Sequence, residues 1–466
     1  MVSSRQIRPA LLFLILVISA CTTPAVTDAA TPTPLPRATK NIPVDTPTPA
    51  VSTLDVDPND LRGTQISVWH PWFGTEASLF ESQISKFNSE NEWGIVVNAQ
   101  GMGNFSELFS QTSAALEDRS NPQVVVALPE QAFSWGDKVV DLNTYVNDPL
   151  YGLGTDDVLD FPPVVWDQES LDGKRFGVPA ERTSRFLLYN QSWARELGFP
   201  TPPATAADFE EQSCAAHRAL GLDEDPDNNA LGGWIIDSNP MTPLSWMLAF
   251  GGGAQEENGY RFLTPGNIAA FKFVKNLQTK GCAWVPSPDL SVYDRFAARQ
   301  ALFATASLEE LSEQARALLA AGNRDEWTIL PFPGEEQTAF TLYGSSFVVL
   351  DSDDVNRLAS WLFIRWMLSP DNQASWVKST DLFPLRSSTM NLLADYAVQH
   401  PQWAAAVEML PEGRQVPRLA SWRVVRTMLG DGFGDMFDTI RHPDLTEGQV
   451  PLILKEMDAT VADLER

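Results

Sequence analysis

Imidazole and thiol groups are the first places to look for chemistry, and here they do not assemble. The four histidines, His70, His217, His400 and His442, are scattered along 466 residues. No His-x-x-x-His or Cys-x-x-Cys pair offers metal-ligand spacing, so no metal and no cofactor is expected. Neither a Gly-x-Ser-x-Gly elbow nor a phosphate-cradling Gly-x-x-x-x-Gly-Lys-Ser/Thr loop occurs. The run GGGA at 251–254 lacks both the lysine and the strand-to-helix setting of such a loop. Glu309 and Glu310 are adjacent in a helical pattern, where neighbours diverge, and read as solvated surface rather than an acid/base couple. No catalytic residue is assigned. The two carboxylates of a glycosidase need no fixed spacing, however, so a carbohydrate-active enzyme stands as the rival reading.

What is unusual is aromatic. The chain holds 15 tryptophans, many beside turns rather than inside periodic runs. Trp69, His70, Trp72 and Phe73 cluster in WHPWFG, at the end of the first strand pattern. Ligands of open α/β sheets bind beyond the carboxyl ends of strands, so this loop is a candidate wall of a site. Aromatic faces suit the apolar faces of sugar rings and leave the hydroxyls to a few convergent polar groups. Trp234, Trp246 and Trp422 are further candidates, although most tryptophans in a chain of this size fill cores. The segment EGRQVPRLASWRVVR (412–426) concentrates Arg414, Arg418, Arg423 and Arg426. It reads either as an anion site or, preferably, as cations paired within an acidic protein.

These residues need a scaffold, and the pattern supplies one. TQISVWH (64–70) alternates like a strand, and EASLFESQISKFNSEN follows with Leu79, Phe80, Ile84 and Phe87 on one helical side. WGIVVNAQ, FSELFSQTSAALEDRS and PQVVVALP continue as strand, helix and doubly buried strand. That alternation predicts a parallel sheet with covering helices. Helices are expected over 204–220, 264–281 and 307–322, strands over 326–334 and 338–350, and a helix begins at Ser369 and Pro370. With α/β character at both ends of a helical middle, one lobe is built from separated segments. No internal repeat is visible.

The N-terminus says where the chain works. Arg5 and Arg8 precede nine apolar residues, Ala10 to Ile18, too few for the ~20 needed to span a bilayer. Ile18-Ser19-Ala20-Cys21 resembles a bacterial lipobox, in which Cys21 is lipidated and becomes the mature N-terminus. Residues 22–58 carry eight prolines and no hydrophobic periodicity, which makes them a tether rather than a domain. The formal charge of −27 becomes more negative when the two leader arginines are lost. Such a body is a poor nucleic-acid binder, because neutralising phosphates is what gives that affinity. Cys214 and Cys282 remain, an even number in an oxidising place, and are expected to form one disulfide, with two inert thiols as the alternative.

Taken in order, ISVWHPWFGTEASLFESQISKFNSEN, NPQVVVALPEQAFSWGDKVVDL and LDGKRFGVPAERTSRFLLYNQSWARELGFPTPPATAADFEE resemble one family. YGSSFVVL and ASWLFIRWMLSPDNQASWVKSTDLFPLRSS extend the likeness toward the C-terminus. It is that of the bacterial extracellular solute-binding proteins of family 1, the lipoproteins of ATP-driven (ABC) importers, in their carbohydrate and glycerol-phosphate branch. The resemblance implies an α/β, two-lobed, periplasmic-binding-protein-like fold, with a multi-crossing hinge and the ligand between lobes. Crossings are expected near Val178–Ser184, Leu342–Ser345 and Phe383–Arg386. The expected organisation is a signal peptide at 1–20, a tether at 21–62, first-lobe segments at 63–180 and 343–385, and second-lobe segments at 181–342 and 386–466.

By position, the resemblance offers Trp69, His70, Glu130, Gln131, Arg182, Trp246, Tyr343, Ser345, Arg386 and Trp422 as cleft residues, with Trp69 and Trp422 as opposed contacts. The implied partners are a sugar, oligosaccharide or polyol, with or without phosphate, and permease subunits on separate chains. The body is expected to be a monomer held at the outer face of the cytoplasmic membrane by its lipid alone. A ligand-sensing input to a receptor kinase is the third reading. AERTSRF departs from the family by placing two arginines where it varies, so substrate identity does not transfer.

Overall fold

The strand Gln65–His70 buries Ile66, Val68 and His70 on one face, while Trp69 lies half-buried on the other. Val124–Ala127 is buried at all four positions, as its unbroken apolar run requires. A computed structural model describes residues 50–464 except 258, 288–290, 439, 443 and 444. The expected signal peptide, the expected lipidation site Cys21 and the expected tether up to residue 49 lie outside the described residues.

Two sheets organise the body. The first runs in the order Val96–Gly101, Gln65–His70, Val124–Ala127, Ser346–Val349, Val178–Pro179. Its first three strands are parallel, and the last two join antiparallel, so it is mixed rather than wholly parallel. The late strand is supplied by a chain that has already built most of the other sheet. Helices Gly74–Glu90, Asp354–Met367 and Pro370–Thr380 cover one face, where Phe87 meets Phe363 edge-on at 5.2 Å. Phe105–Asp118 and Pro129–Trp135 belong to the cluster on the other. The strand expected over 122–129 ends at Ala127, and its last expected residue, Pro129, opens the helix Pro129–Trp135. Pro129 stands at the first helical position, with φ preset for a helix.

The second sheet orders Ala283–Trp284, Trp234–Ile235, Phe303–Ser307, Thr183–Asn190, Thr341–Tyr343 and Arg414–Gln415, with Trp327–Leu330 also paired to Thr183–Asn190. Helices Ala206–Leu220, Met241–Ala249, Pro265–Thr279, Trp422–Asp435 and Val450–Leu464 share its aromatic core. A disulfide joins Cys214 to Cys282 with Cα atoms 4.5 Å apart, tying helix Ala206–Leu220 to the sheet edge.

The chain leaves the first sheet after Pro179 and enters the second at Thr183; it returns between Tyr343 and Ser346. These two passages are bonded to each other, Ala180 N donating to Ser345 O at 3.0 Å. A third stretch, after helix Pro370–Thr380, runs beside them, with Phe383 N donating to Arg182 O at 3.0 Å. Gly344 is required where they meet: its φ is +158°, and a Cβ there would lie 2.2 Å from Glu181 O.

Folded chain is present before residue 62, the expected end of the tether. Ser52 and Thr53 donate to the Asp148 carboxylate, the backbone N of Thr53 at 2.8 Å, and Leu61 is fully buried. Among the described residues, no helix is long and apolar enough to cross a membrane.

Candidate functional site

Both sheets end on one cleft. On the first-lobe side, Pro71, Trp72 and Phe73 follow the strand Gln65–His70, and Glu76 stands in the first turn of the next helix. Leu128, Pro129 and Glu130 follow the strand Val124–Ala127. On the second-lobe side, Asn239, Pro240 and Met241 lead into helix Met241–Ala249, and Glu309 follows the strand Phe303–Ser307. Trp422, Arg426 and Thr427 come from helix Trp422–Asp435. Glu181, Gly344 and Ser345 form the hinge floor. The space divides into lobes of about 280 and 350 Å³ that share Leu128, Tyr343, Gly344 and Arg426 in their walls. A ligand seated there touches strand ends of both sheets, the position that open α/β folds reserve for ligands.

Of the ten residues proposed from sequence, four line this space: Glu130, Tyr343, Ser345 and Trp422. Trp422 stacks on Tyr260 with ring centroids 6.1 Å apart, which fixes its plane. The Tyr343 hydroxyl lies 3.0 Å from Ser307 Oγ. Gln131 stands just behind: it accepts from Leu128 N at 3.0 Å and donates to Phe105 O at 2.8 Å, shaping the rim.

The other five sit elsewhere, each for a visible reason. Trp69 is still within the strand and turns outward, half-buried against the cluster of Met102, Val125 and Phe133. His70 turns inward beneath Trp72 and Phe80, and burial lowers its pKa, which favours the neutral ring. Trp246 is wholly enclosed by Phe209, Trp234 and Phe332 in the second-lobe core. Arg182 is fully buried and bonded to Ser345 O, Val165 O and Glu169 at the hinge. Arg386 pairs with Asp157 and Asp160 and lies over Phe161.

The aromatic wall therefore belongs to Trp72 and Phe73, not to Trp69. The signal was in the sequence: a strand read through His70 can only release its loop at Pro71. Missed were Glu76, Glu181 and Glu309, which no pattern distinguished from surface acids. Of the four arginines in 412–426, only Arg426 lines the cleft, and it faces Glu130 at 3.4 Å. Arg423 lies over Phe109 at 4.6 Å, so the same helix grips the first lobe twice. Arg418 donates to Asp167 O and Ser170 O.

The carboxylates are crowded. Burial, reinforced by Glu76, pushes Glu181 up to about 7, against the hydrogen bonds it accepts from Ser345 Oγ at 2.8 Å and Trp72 Nε1 at 3.0 Å. Desolvation between the cleft walls also raises Glu76 and Glu309, although Glu309 keeps an exposed surface and accepts from Thr183 Oγ1 at 2.6 Å. Among the described residues no group of three or more His, Cys, Asp or Glu is placed to hold a metal ion.

Comparison with known proteins agrees with this architecture. The family described as bacterial extracellular solute-binding protein matches residues 82–411. The sugar-binding protein MalE of Xanthomonas citri superposes with a TM-score of 0.73 at 22% identity, over 86% of this chain and 98% of that one. The cyclic alpha-maltosyl-1,6-maltose binding protein of Arthrobacter globiformis gives 0.70 at 18%, over 85% and 98%. UgpB of Mycobacterium tuberculosis, solved with glycerophosphocholine, gives 0.66 at 19%, over 86% and 99%. These solved proteins share the two-lobed fold. With the family match spanning most of its length, the chain belongs to the bacterial extracellular solute-binding proteins.

Proposed function

We propose that this protein captures a sugar or related polyol between its lobes and delivers it to the transmembrane subunits of an ABC importer. The observation that carries the reading is the cleft itself, walled by aromatic and polar residues from both sheets and floored by the chain passages between them. A ligand touching both lobes favours the state in which they are close, which is how a bound solute can alter the surface offered to a permease. The sugar-binding MalE of Xanthomonas citri and the cyclic alpha-maltosyl-1,6-maltose binding protein of Arthrobacter globiformis, which share the fold, support the ligand class. Lipid on Cys21 and the proline-rich tether would hold the body at the outer face of the membrane. Binding without turnover is the expected chemistry, and the cleft acids are proposed to accept hydrogen bonds from ligand donors.

Mass spectrometry of whatever co-purifies with the protein tests ligand class and turnover together. A sugar or polyol recovered at its original mass after incubation is the expected result. Recovery of hydrolysed fragments would transfer the reading to a carbohydrate-active enzyme.

A further inference from the structure

Of the two arginines in AERTSRF, Arg182 serves the hinge, and Arg185 stands on the strand Thr183–Asn190, 6% exposed and outside the cleft lining. Its guanidinium donates through Nε and Nη2 to Asp237 Oδ2 at 3.0 and 2.7 Å. Through Nη1 it donates to Glu310 Oε2 at 2.6 Å and to Ser307 Oγ at 3.0 Å. All three acceptors lie at the end of a second-sheet strand or just past it. Asp237 follows Trp234–Ile235 and accepts from Asn239 N at 2.9 Å and Thr242 Oγ1 at 2.5 Å, which fixes the turn bringing Asn239, Pro240 and Met241 to the cleft. Glu310 accepts from Ser307 N at 2.6 Å, which fixes the turn carrying Glu309. Ser307 Oγ meets the hydroxyl of Tyr343, a residue that lines both parts of the cleft.

We infer that Arg185 is a positioning residue for solute binding: it holds both second-lobe turns and, through Ser307, leaves the Tyr343 hydroxyl hydrogen free to donate to the solute. The inference rests on the proposed solute-binding role and names a determinant of specificity within it. Arginine donates only, so Arg185 occupies a lone pair of Ser307 Oγ, and the serine keeps one hydrogen to place. Ser307 is 3% exposed, and the Tyr343 oxygen is the one acceptor its hydroxyl meets among the described residues. A hydrogen left unused there would be costly, whereas the phenol hydrogen opens on the cleft and can be met by water or solute. Burial and the charge of Glu309 raise the pKa of Tyr343, so the phenol retains that hydrogen. The position therefore takes an accepting solute oxygen, of a ring, a glycosidic link or a hydroxyl. Only a rigid fork of donors reaches two acids and a hydroxyl at once, a task lysine does not share.

Raman spectroscopy reads the direction of the Ser307–Tyr343 bond, because the tyrosine doublet has a high intensity ratio for an accepting phenol and a low one for a donating phenol. Subtracting the spectrum of Tyr343→Phe isolates Tyr343, and a high ratio is expected in the parent. Ser307→Ala, which leaves Arg185 with both acids, and Arg185→Lys, which keeps the charge but not the fork, should each lower that ratio with the unfolding midpoint near the parent value. Each should also weaken maltotriose binding about fivefold by calorimetry, and Ser307→Ala should cost nothing further when added to Tyr343→Phe. A low ratio in the parent, or a lowered ratio in the variants with maltotriose affinity unchanged, overturns the inference. A parent that does not bind maltotriose counts against the solute-binding reading, while the Raman ratio alone still decides the chain from Arg185 to Tyr343.

Discussion

Arg182→Ala is expected to lower the unfolding free energy by about 3–5 kcal/mol, because it strands a carboxylate with no solvent to turn to. Arg182 and Glu169 are 0% and 1% exposed and paired. The guanidinium also donates to Glu181 O and Ser345 O, both at 2.8 Å, and to Val165 O at 3.1 Å. Ser346 Oγ shares Glu169 Oε1 at 2.6 Å. One side chain thus binds the outgoing passage, the returning passage and the first-lobe segment beneath them. Urea unfolding followed by tryptophan fluorescence provides the comparison. Arg182→Met combined with Glu169→Gln should lose less than Arg182→Ala alone, since the uncompensated charge goes too. An unchanged midpoint for Arg182→Ala would mean that the pair does not hold the hinge.

Opening the Cys214–Cys282 disulfide is the second large effect. It closes a loop with a sequence separation of 68, for which chain-entropy arguments give roughly 4 kcal/mol. Cys282 is 2% exposed and belongs to the second-lobe core, so the loss should fall on that lobe first. Cys214→Ala with Cys282→Ala, chosen to avoid burying new polar groups, should melt several degrees below the parent. Parent protein denatured without reductant should show no free thiol at these two positions. Two titratable thiols there would contradict the bond.

How much of this was legible in the sequence differs between scaffold and site. The alternation in TQISVWH and the apolar run in PQVVVALP are local signals, and both became central strands. The strand expected over 338–350 includes Ser346–Val349, but its place in the first sheet, like that of Val178–Pro179, was not a local signal. Val178–Pro179 and Ser346–Val349 are a short strand and a buried one whose partners are settled by tertiary pairing. The cleft was harder still. Arg182 and Trp246 look like ligand contacts in isolation, and burial alone shows that one clamps the hinge while the other fills a core. Glu76, Glu181 and Glu309 come from distant segments, and only the fold brings their charges together. Trp72 stood in the aromatic loop already named as a candidate wall, and period-two counting along the strand places Trp69 on the outward face.

The central claim is capture by closure between lobes, and small-angle X-ray scattering with and without the co-purifying solute tests it most directly. Helix Trp422–Asp435 touches the first lobe through Arg423 over Phe109 and Arg426 against Glu130, so bound solute should draw the lobes together along that seam. The account predicts a smaller radius of gyration at saturation, with the effect lost when solute is removed. Tight binding that leaves the scattering curve unchanged would contradict it.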